Sequence, residues 1–516
     1  MSTTTRRGTD DGRARKEPGD GLGTITTDIP ARMDRLPWAR WHWMIVIGLG
    51  TVWVLDGLEV TIVGNLSEVL KSSDGLGLTS SQIGVAGAVY VTGSCLGALV
   101  FGQLTDRFGR KRLFIITLLT YLLGTVLTAF SMNPLYYFAM RFVTGLGIGG
   151  EYAAVNSAVD ELIPARYRGR IDITINGSYW LGAAAGALVT IPLLDPALVP
   201  AGLGWRLCFG LGAALGLAVL FVRRHVPESP RWLFIHGRQE ESETIVRSVE
   251  DTVARETGSE LEPVETTITV KQRHTVGLAR IARTVLRDYP RRTVLCLFLF
   301  VGQAFLYNAF FFTYGDTLQT FLDVDQTGAY LAAFALSNFV GALALGPLFD
   351  KVGRVRMISG TYIVSGVLLA VAGLRLDSLT ALSLTAFGMV VFFFASAGAS
   401  SAYLTASEVF PMETRALCIA LFYAVGTAVG GITGPLLFGR LIESAESAGD
   451  IGGIAVGYYI GAGLMVAGGV VAIFLGVGAE RKSLEDIATP LTAQDAQDDQ
   501  DDEATQGTRG TQDDGR

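Results

Sequence analysis

From residue 43 to residue 478 the chain alternates long apolar stretches with short polar loops. Each stretch runs to roughly twenty residues, which at about 1.5 Å per residue is enough for a helix to cross about 30 Å of hydrocarbon. The runs fall at 43–66, a Gly- and Ala-rich second ending in a basic turn, 113–130, 136–161, a fifth reaching 194, and 205–222. Six more follow at 293–318, 328–349, 357–374, 379–407, 416–442 and 453–478. In hydrocarbon every backbone N–H and C=O must be satisfied within the segment, so apolar runs of this length are helices. The pattern predicts an all-α membrane protein of about twelve transmembrane helices. They form two six-helix halves, 41–222 and 293–480, joined by a charged segment, 223–292. Within that segment 240–255 and 278–286 have helical spacing and dense charge, as in short helices lying under a membrane domain.

Composition agrees: 50% of the 516 residues are hydrophobic and only 17% charged, too apolar for an ordinary soluble protein of this size. The formal charge of −7 is misleading, because much of the acid lies in the tail after Ala493. Residues 481–516 and 1–40 are expected to be disordered tails. The first forty residues lack the apolar core of a signal peptide, so both ends are expected in the cytosol with nothing cleaved. Cys95, Cys208, Cys296 and Cys418 show no paired spacing, and His42, His225, His236 and His274 lie at or beyond helix ends. No metal site, cofactor or nucleic-acid partner is expected, and no nucleophile and base form a catalytic set. The chain is not expected to be an enzyme.

The basic turn Gly102-Gln103-Leu104-Thr105-Asp106-Arg107-Phe108-Gly109-Arg110-Lys111-Arg112 recurs, blurred, from Gly346 to Arg356, with Asp350, Gly353 and Arg354 in matching places. Glycine lets two helices reverse tightly, an Asp can cap a helix start, and the cations meet helix carboxyl ends. Two copies imply two similar halves. This order resembles the loop between the second and third helices of major facilitator superfamily transporters, and its echo between the eighth and ninth. The resemblance implies a transporter working by rocking of its halves about a central site. Short loops on the side of the basic turns hold nearly all the Lys and Arg, so that side, both termini and the central segment are expected in the cytosol. The expected setting is a plasma or bacterial inner membrane; the expected partners are the lipid bilayer, protons and a small molecule, with the protein acting as a monomer.

Charges inside membrane segments are costly and therefore point to function. Asp56 and Glu59 lie three residues apart on one face of the first helix, and Arg141 lies in the fourth. Glu59 is roughly 24 Å above the inner start of its helix and Arg141 roughly 9 Å below the outer start of its own, at similar depth. A carboxylate governed by burial and a neighbouring guanidinium can load and release a proton; a permanently ionised packing pair is the alternative. Depth does not choose between Asp56 and Glu59. The run 57–63 resembles the first-helix segment of the sugar porter branch, which places Glu59 and Arg141 on its proton-coupling pair. The Asp-Gly-x-acid pattern that includes Asp56 resembles the aromatic-acid and related metabolite symporters.

Further motifs follow the same branch. Glu161 to Pro164 with Arg168-Gly169-Arg170, Pro227 to Leu233, and Glu408 to Pro411 with Arg415 resemble its cytoplasmic junctions. Glu161, Glu228 and Glu408 with Arg107, Arg168, Arg231, Arg354 and Arg415, together with Asp106, Arg110 and Asp350 of the turns, are expected to form a cytoplasmic gate of exposed ion pairs. Gln303 and Asn308 match its seventh-helix amides, Asn176 its fifth-helix Gln and Tyr403 its tenth-helix Trp. With Asn156 and Tyr314 these are the expected substrate contacts, and Trp180, Asn338 and Tyr423 are further candidates. The seventh- and tenth-helix motifs are incomplete, with Gly302, Leu306, Ala399 and Ser400 at variant positions, which weakens a hexose assignment. Gly145-Leu146-Gly147-Ile148-Gly149-Gly150 fits a dinucleotide pattern but lies in an apolar helix after no strand, so it reads as close helix packing. The expected function is proton-coupled symport of a sugar, polyol or organic acid. Efflux by antiport and a non-transporting nutrient sensor are the alternatives.

Overall fold

In the computed structural model the described residues are 21–491 apart from 67–68, 71, 73–74, 79, 224–225, 274–282, 323, 325–327 and 412–413. The distal parts of both tails, 1–20 and 492–516, fall outside them. A short strand β1 (Gly21–Thr27) and helix α1 (Ile29–Asp34) precede the first long helix, α2 (Arg40–Asn65). Then come α3 (Ser80–Phe108), α4 (Arg110–Ala129), α5 (Pro134–Leu162), the broken pair α6 (Arg168–Gly177) and α7 (Tyr179–Leu193), and α8 (Ala201–Arg223). The central segment forms α9 (Pro230–Ile235), α10 (Gln239–Thr257) and β2 (Ile268–Arg273). The second half contains α11 (Pro290–Leu322), α12 (Gly328–Lys351), α13 (Arg354–Leu374), α14 (Ala381–Glu408), α15 (Arg415–Gly426), α16 (Ile432–Ala448) and α17 (Ala455–Leu475), with a last turn α18 (Leu484–Ile487). Ten helices among the described residues are long and apolar enough to cross a membrane. Two more passes, α5 and α6 continued by α7, complete the twelve-helix bundle.

Local signals explain the helix starts. Asn133 accepts the Tyr136 N–H at 2.9 Å ahead of Pro134, and Ser229 accepts that of Trp232 at 3.0 Å ahead of Pro230. The basic turns rest on Gly109 (φ +92°) and Gly353 (φ +108°), conformations that side chains resist. The glycine run in α5 is a packing surface. A Cβ on Gly145 would meet the Tyr90 carbonyl oxygen at 2.1 Å, and one on Gly149 that of Ser94 at 1.9 Å. The fifth pass breaks at Ser178, whose Oγ donates to the Gly50 carbonyl at 3.0 Å. A second irregularity, a π turn over Thr427–Gly431, divides the eleventh pass.

Residues 21–40 depart from the expectation of disorder. β1 pairs antiparallel with β2, bringing Thr26 opposite Thr269, and Ile29, Met33 and Leu36 are buried in one cluster with Val246, Val249 and Val253 of α10. Arg32 reaches Glu243 at 2.9 Å and Glu250 at 2.6 Å, and Arg35 also grips Glu250. The start of the acidic tail is ordered too, with Leu484 and Ile487 buried. Composition suggested disorder because each segment alone has too little apolar surface; together they bury enough.

This arm carries a pH dependence. Burial raises the carboxyls of Glu243 and Glu250, but hydrogen bonds and charge from Arg32, joined by Arg247 at Glu243 and by Arg35 at Glu250, outweigh it and hold both below the ordinary carboxylate value. Asp28 is the remaining acid against Arg32, at 3.5 Å. A depressed carboxylate adds stability that is present above its unfolded pKa of about 4.3 and is lost as pH falls through the lower folded value. Spin labels replacing Thr26 and Thr269 are therefore expected to stay close at neutral pH and to separate below about pH 4. A constant distance down to about pH 3 would show that these carboxylates do not hold the arm.

Candidate functional site

Glu59 and Arg141 meet in the interior of the first half. Arg141 Nη1 donates to Glu59 Oε1 at 2.7 Å and Thr125 Oγ1 donates to Glu59 Oε2 at 3.1 Å. The two residues are 1% and 2% exposed, so the pair is removed from water. The guanidinium also lies 4.7 Å from the centre of the Tyr90 ring and 5.9 Å from that of Phe209. One turn from Glu59, Asp56 is buried and accepts the hydroxyls of Tyr152 and, at 3.5 Å, Tyr90. Among the described residues no cation pairs with it. Tyr90 thus links both acids: its hydroxyl meets Asp56 and its face meets Arg141.

Asp56 borders a cluster of rings drawn from both halves. Trp53 of α2 stacks on Tyr152 of α5 at 4.6 Å, and Tyr403 of α14 meets Trp53 edge-on at 5.7 Å. Tyr423 of α15 packs on Tyr152 at 4.7 Å, and Phe300 of α11 on Tyr403 at 4.9 Å. The Tyr423 hydroxyl shares a 2.7 Å hydrogen bond with Ser94 across the halves. Asn176 Nδ2 donates to Asn156 Oδ1 at 2.9 Å, and Asn156 Nδ2 to the Tyr152 carbonyl at 2.8 Å, so the amide pair adjoins the rings. Among the described residues the Trp53 indole N–H and Asn176 Oδ1 are buried without a hydrogen-bond partner, one donor and one acceptor at the seam.

Other expected contacts lie elsewhere. Gln303 is buried on α11 one turn beyond Phe300. Asn308 donates to its own helix at the Ala304 carbonyl, 2.8 Å, with Gly431 of the π turn beside its amide. Tyr314 is not among the central rings: it hydrogen-bonds Thr385 and stacks with Phe310 and Phe334, all within the second half. An aromatic at helical spacing here serves packing. Trp180 and Asn338 meet through Tyr307, 5.2 Å from the indole and 2.9 Å from Asn338 Oδ1, at a second contact between the halves.

The basic-turn face carries the ion pairs. Glu161 Oε1 lies 2.7 Å from Arg110 and 3.5 Å from Arg415 of the other half. Arg354 holds Glu408 through two bonds of 2.9 Å and Asp350 through one of 2.9 Å, while Asp350 accepts the Arg170 N–H of the first half at 2.8 Å. These side chains are buried rather than exposed, so each pair carries a desolvation penalty and breaking one is far costlier than at a surface. Three expectations are corrected. Glu228 joins no arginine side chain in a described ion pair; it caps α4, accepting the N–H groups of Arg110 at 2.9 Å and Lys111 at 3.2 Å. Burial pushes its carboxyl above the ordinary value, against the pull of the Ser229, Arg110 and Lys111 amides and the Arg110 charge. Arg107 is exposed, over the Phe108 ring at 5.1 Å, and makes none of these described pairs. Arg168 and Arg231 converge instead on Asp34, at 3.2 and 3.3 Å. The Asp106 side chain lies outside the described ones.

A family model described as "Sugar (and other) transporter" matches residues 41–490. The chain belongs to this transporter family. Among its relatives, the niacin transporter NiaP of Acinetobacter baylyi is 27% identical over 89% of this chain and 99% of its own. The putative metabolite transport protein YdjK of Escherichia coli is 31% identical over 80% and 88%. The 4-hydroxybenzoate transporter PcaK of Acinetobacter baylyi is 25% identical over 80% and 88%. The solved structure of the major facilitator proton:xylose symporter XylE bound to 6-bromo-6-deoxy-D-glucose superposes with a TM-score of 0.69, covering 86% of this chain and 98% of that one at 18% identity. The fold is therefore the major facilitator fold, and the protein is a multi-pass membrane transporter and not an enzyme.

Several residues of this transporter's interior escaped the sequence reading. Trp53 precedes Asp56 by three residues and so shares its face, and Tyr152 follows Arg141 by eleven, three helical turns. That spacing was a usable signal. Tyr90 and Thr125 carried none, because nothing in an apolar helix marks one Tyr or Thr as facing an acid rather than a neighbouring helix.

Proposed function

We propose that this transporter is a proton-coupled symporter of a small organic acid built on a single flat ring, working by alternating access. The observation that carries the reading is the ring cluster of Trp53, Tyr152, Tyr403 and Tyr423, contributed by both halves and bordered by Asp56. Stacked aromatic faces receive a flat ring well, and the spare indole donor and amide acceptor suit its polar substituents. The relatives named for niacin and 4-hydroxybenzoate agree.

Charge supports the coupling. Carboxylates at this site outnumber the one guanidinium, which Glu59 already engages. An anionic substrate beside Asp56 and Glu59 is repelled in a low dielectric unless a proton neutralises one of them. Proton and substrate thus favour each other, the thermodynamic content of symport. Glu59 with Arg141 is the coupling pair and Asp56 the acid nearer the substrate. The arginine-rich face is cytosolic by the positive-inside rule. Its Glu161–Arg415 and Asp350–Arg170 contacts form the inner gate, closed here.

The test is uptake into right-side-out vesicles under an imposed inward proton gradient, with nicotinate and 4-hydroxybenzoate against xylose. Accumulation of a ring acid is expected; accumulation of xylose alone would sink the substrate reading. In the same assay Tyr403→Ala is expected to raise KM about tenfold with little change in maximal rate, the mark of lost ground-state stacking. An unchanged KM would place the ring outside the substrate's reach.

A further inference from the structure

Arg168, which opens α6, and Arg231, in α9, are 0% and 1% exposed. Both lean on one carboxylate, Asp34, the last residue of α1: Arg168 Nη2 donates to Oδ1 at 3.2 Å and Arg231 Nη2 to Oδ2 at 3.3 Å. The Ala165 N–H adds a third bond at 3.2 Å. The same guanidiniums touch the segment after the last pass. Arg168 Nη1 donates to the Lys482 carbonyl at 3.4 Å, and Arg231 Nε lies 3.1 Å from Glu485 Oε1. Arg231 Nη1 also donates to the carbonyl of Glu161 at 3.1 Å, the residue whose side chain meets Arg415 of the other half.

The arm holding Asp34 is built to stay. Its apolar side is buried against α10, its strand is paired with β2, and the Leu36 carbonyl accepts Arg166 at 3.0 Å. From this arrangement we infer that the arm of residues 21–39 is a third component of the inner gate, in which Asp34 is a positioning residue that holds Arg168 and Arg231 against the second half's terminal segment. Without that carboxylate, Arg168 and Arg231 lose the anion they share, and the buried cluster, Glu485 included, carries one negative charge fewer against the two guanidiniums in a low dielectric. The strain is relieved when the halves separate on this face and water enters. The equilibrium then shifts toward the inward-open state. The inference rests on the proposed inner gate.

Hydrogen exchange read by mass spectrometry on the purified full-length protein tests it. Asp34→Asn is expected to speed exchange in segments 161–170 and 404–411 by about fivefold or more, with segment 113–125 unchanged and Asp34→Glu close to wild type. Unchanged rates at 161–170 and 404–411, or an equal rise in all three segments, would overturn the inference. Should Asp34→Asn fail to fold, Arg32→Ala with Arg35→Ala decides. That pair unclasps the arm from α10 while keeping Asp34, and the same pattern at smaller amplitude is expected; wild-type rates would overturn the inference. Arg415→Gln separates the two readings. If it opens both segments while the Asp34 and arm variants do not, the inner gate stands and the arm's part in it falls.

Discussion

Vesicles carrying Glu59→Gln are expected to lose proton-driven accumulation entirely, the internal concentration settling at the external one, while exchange of labelled for unlabelled substrate continues. Glutamine keeps its one carbonyl oxygen as acceptor for Arg141 and turns an NH2 donor toward the rotatable Thr125 hydroxyl, in nearly the same volume, but titrates no proton, so the coupling is removed with little disturbance to the site. The substitution also leaves the Arg141 cation buried without its anion, a cost on the order of 3–5 kcal/mol that thermal unfolding will register. Replacing both residues, Glu59→Gln with Arg141→Gln, is expected to recover much of that stability and none of the coupling. Asp56→Asn is the necessary companion. If Glu59→Gln accumulates normally and Asp56→Asn does not, the proton travels on Asp56.

The second large effect is expected at Arg354. Its guanidinium gathers Glu408, Asp350 and the Phe349 carbonyl, and lies against Gly169 so closely that a Cβ there would come within 2.2 Å of Nη1. Arg354→Met would strand two buried carboxylates together, on the order of 3–5 kcal/mol destabilising, and much of the protein should be lost on purification. Adding Asp350→Asn and Glu408→Leu is expected to restore stability but not full transport, because the Asp350–Arg170 contact of the proposed inner gate would have lost its charge and only Glu161–Arg415 would remain. Full transport by the triple variant would reduce this cluster to packing.

How far the sequence could be read follows from the physics of each feature. The passes were legible because hydrocarbon leaves no other use for long apolar runs. Glu59 and Arg141 were legible because buried charge must find its opposite. The ring cluster was only partly legible. Tyr403 was found by resemblance, while Trp53 and Tyr152 offered only their helical spacing from Asp56 and Arg141, which marks a face but not the rings that meet across the halves. Tyr314 misled for the converse reason: an aromatic in a candidate helix packs inside one half as readily as it faces the other. The arm was illegible because its partners are remote, Arg32 meeting Glu250 218 positions away, and charge-rich segments read singly carry no sign of mutual burial. Glu228 was assigned to an ion pair because its motif places it among the arginines of the cytoplasmic junctions; only the direction of α4 reveals that its backbone start is the better partner.

One fastening occurs twice. Glu228, after the sixth pass, sits on the start of α4 at Gly109, and Glu480, after the twelfth, sits on the start of α13, its Oε2 accepting the Arg354 N–H at 3.4 Å beside Gly353. Each bundle therefore buckles its own last strap onto its own third rod. In the alternating access proposed above, both buckles stay shut, so each block travels whole and only the seam between them is rewritten at every turnover.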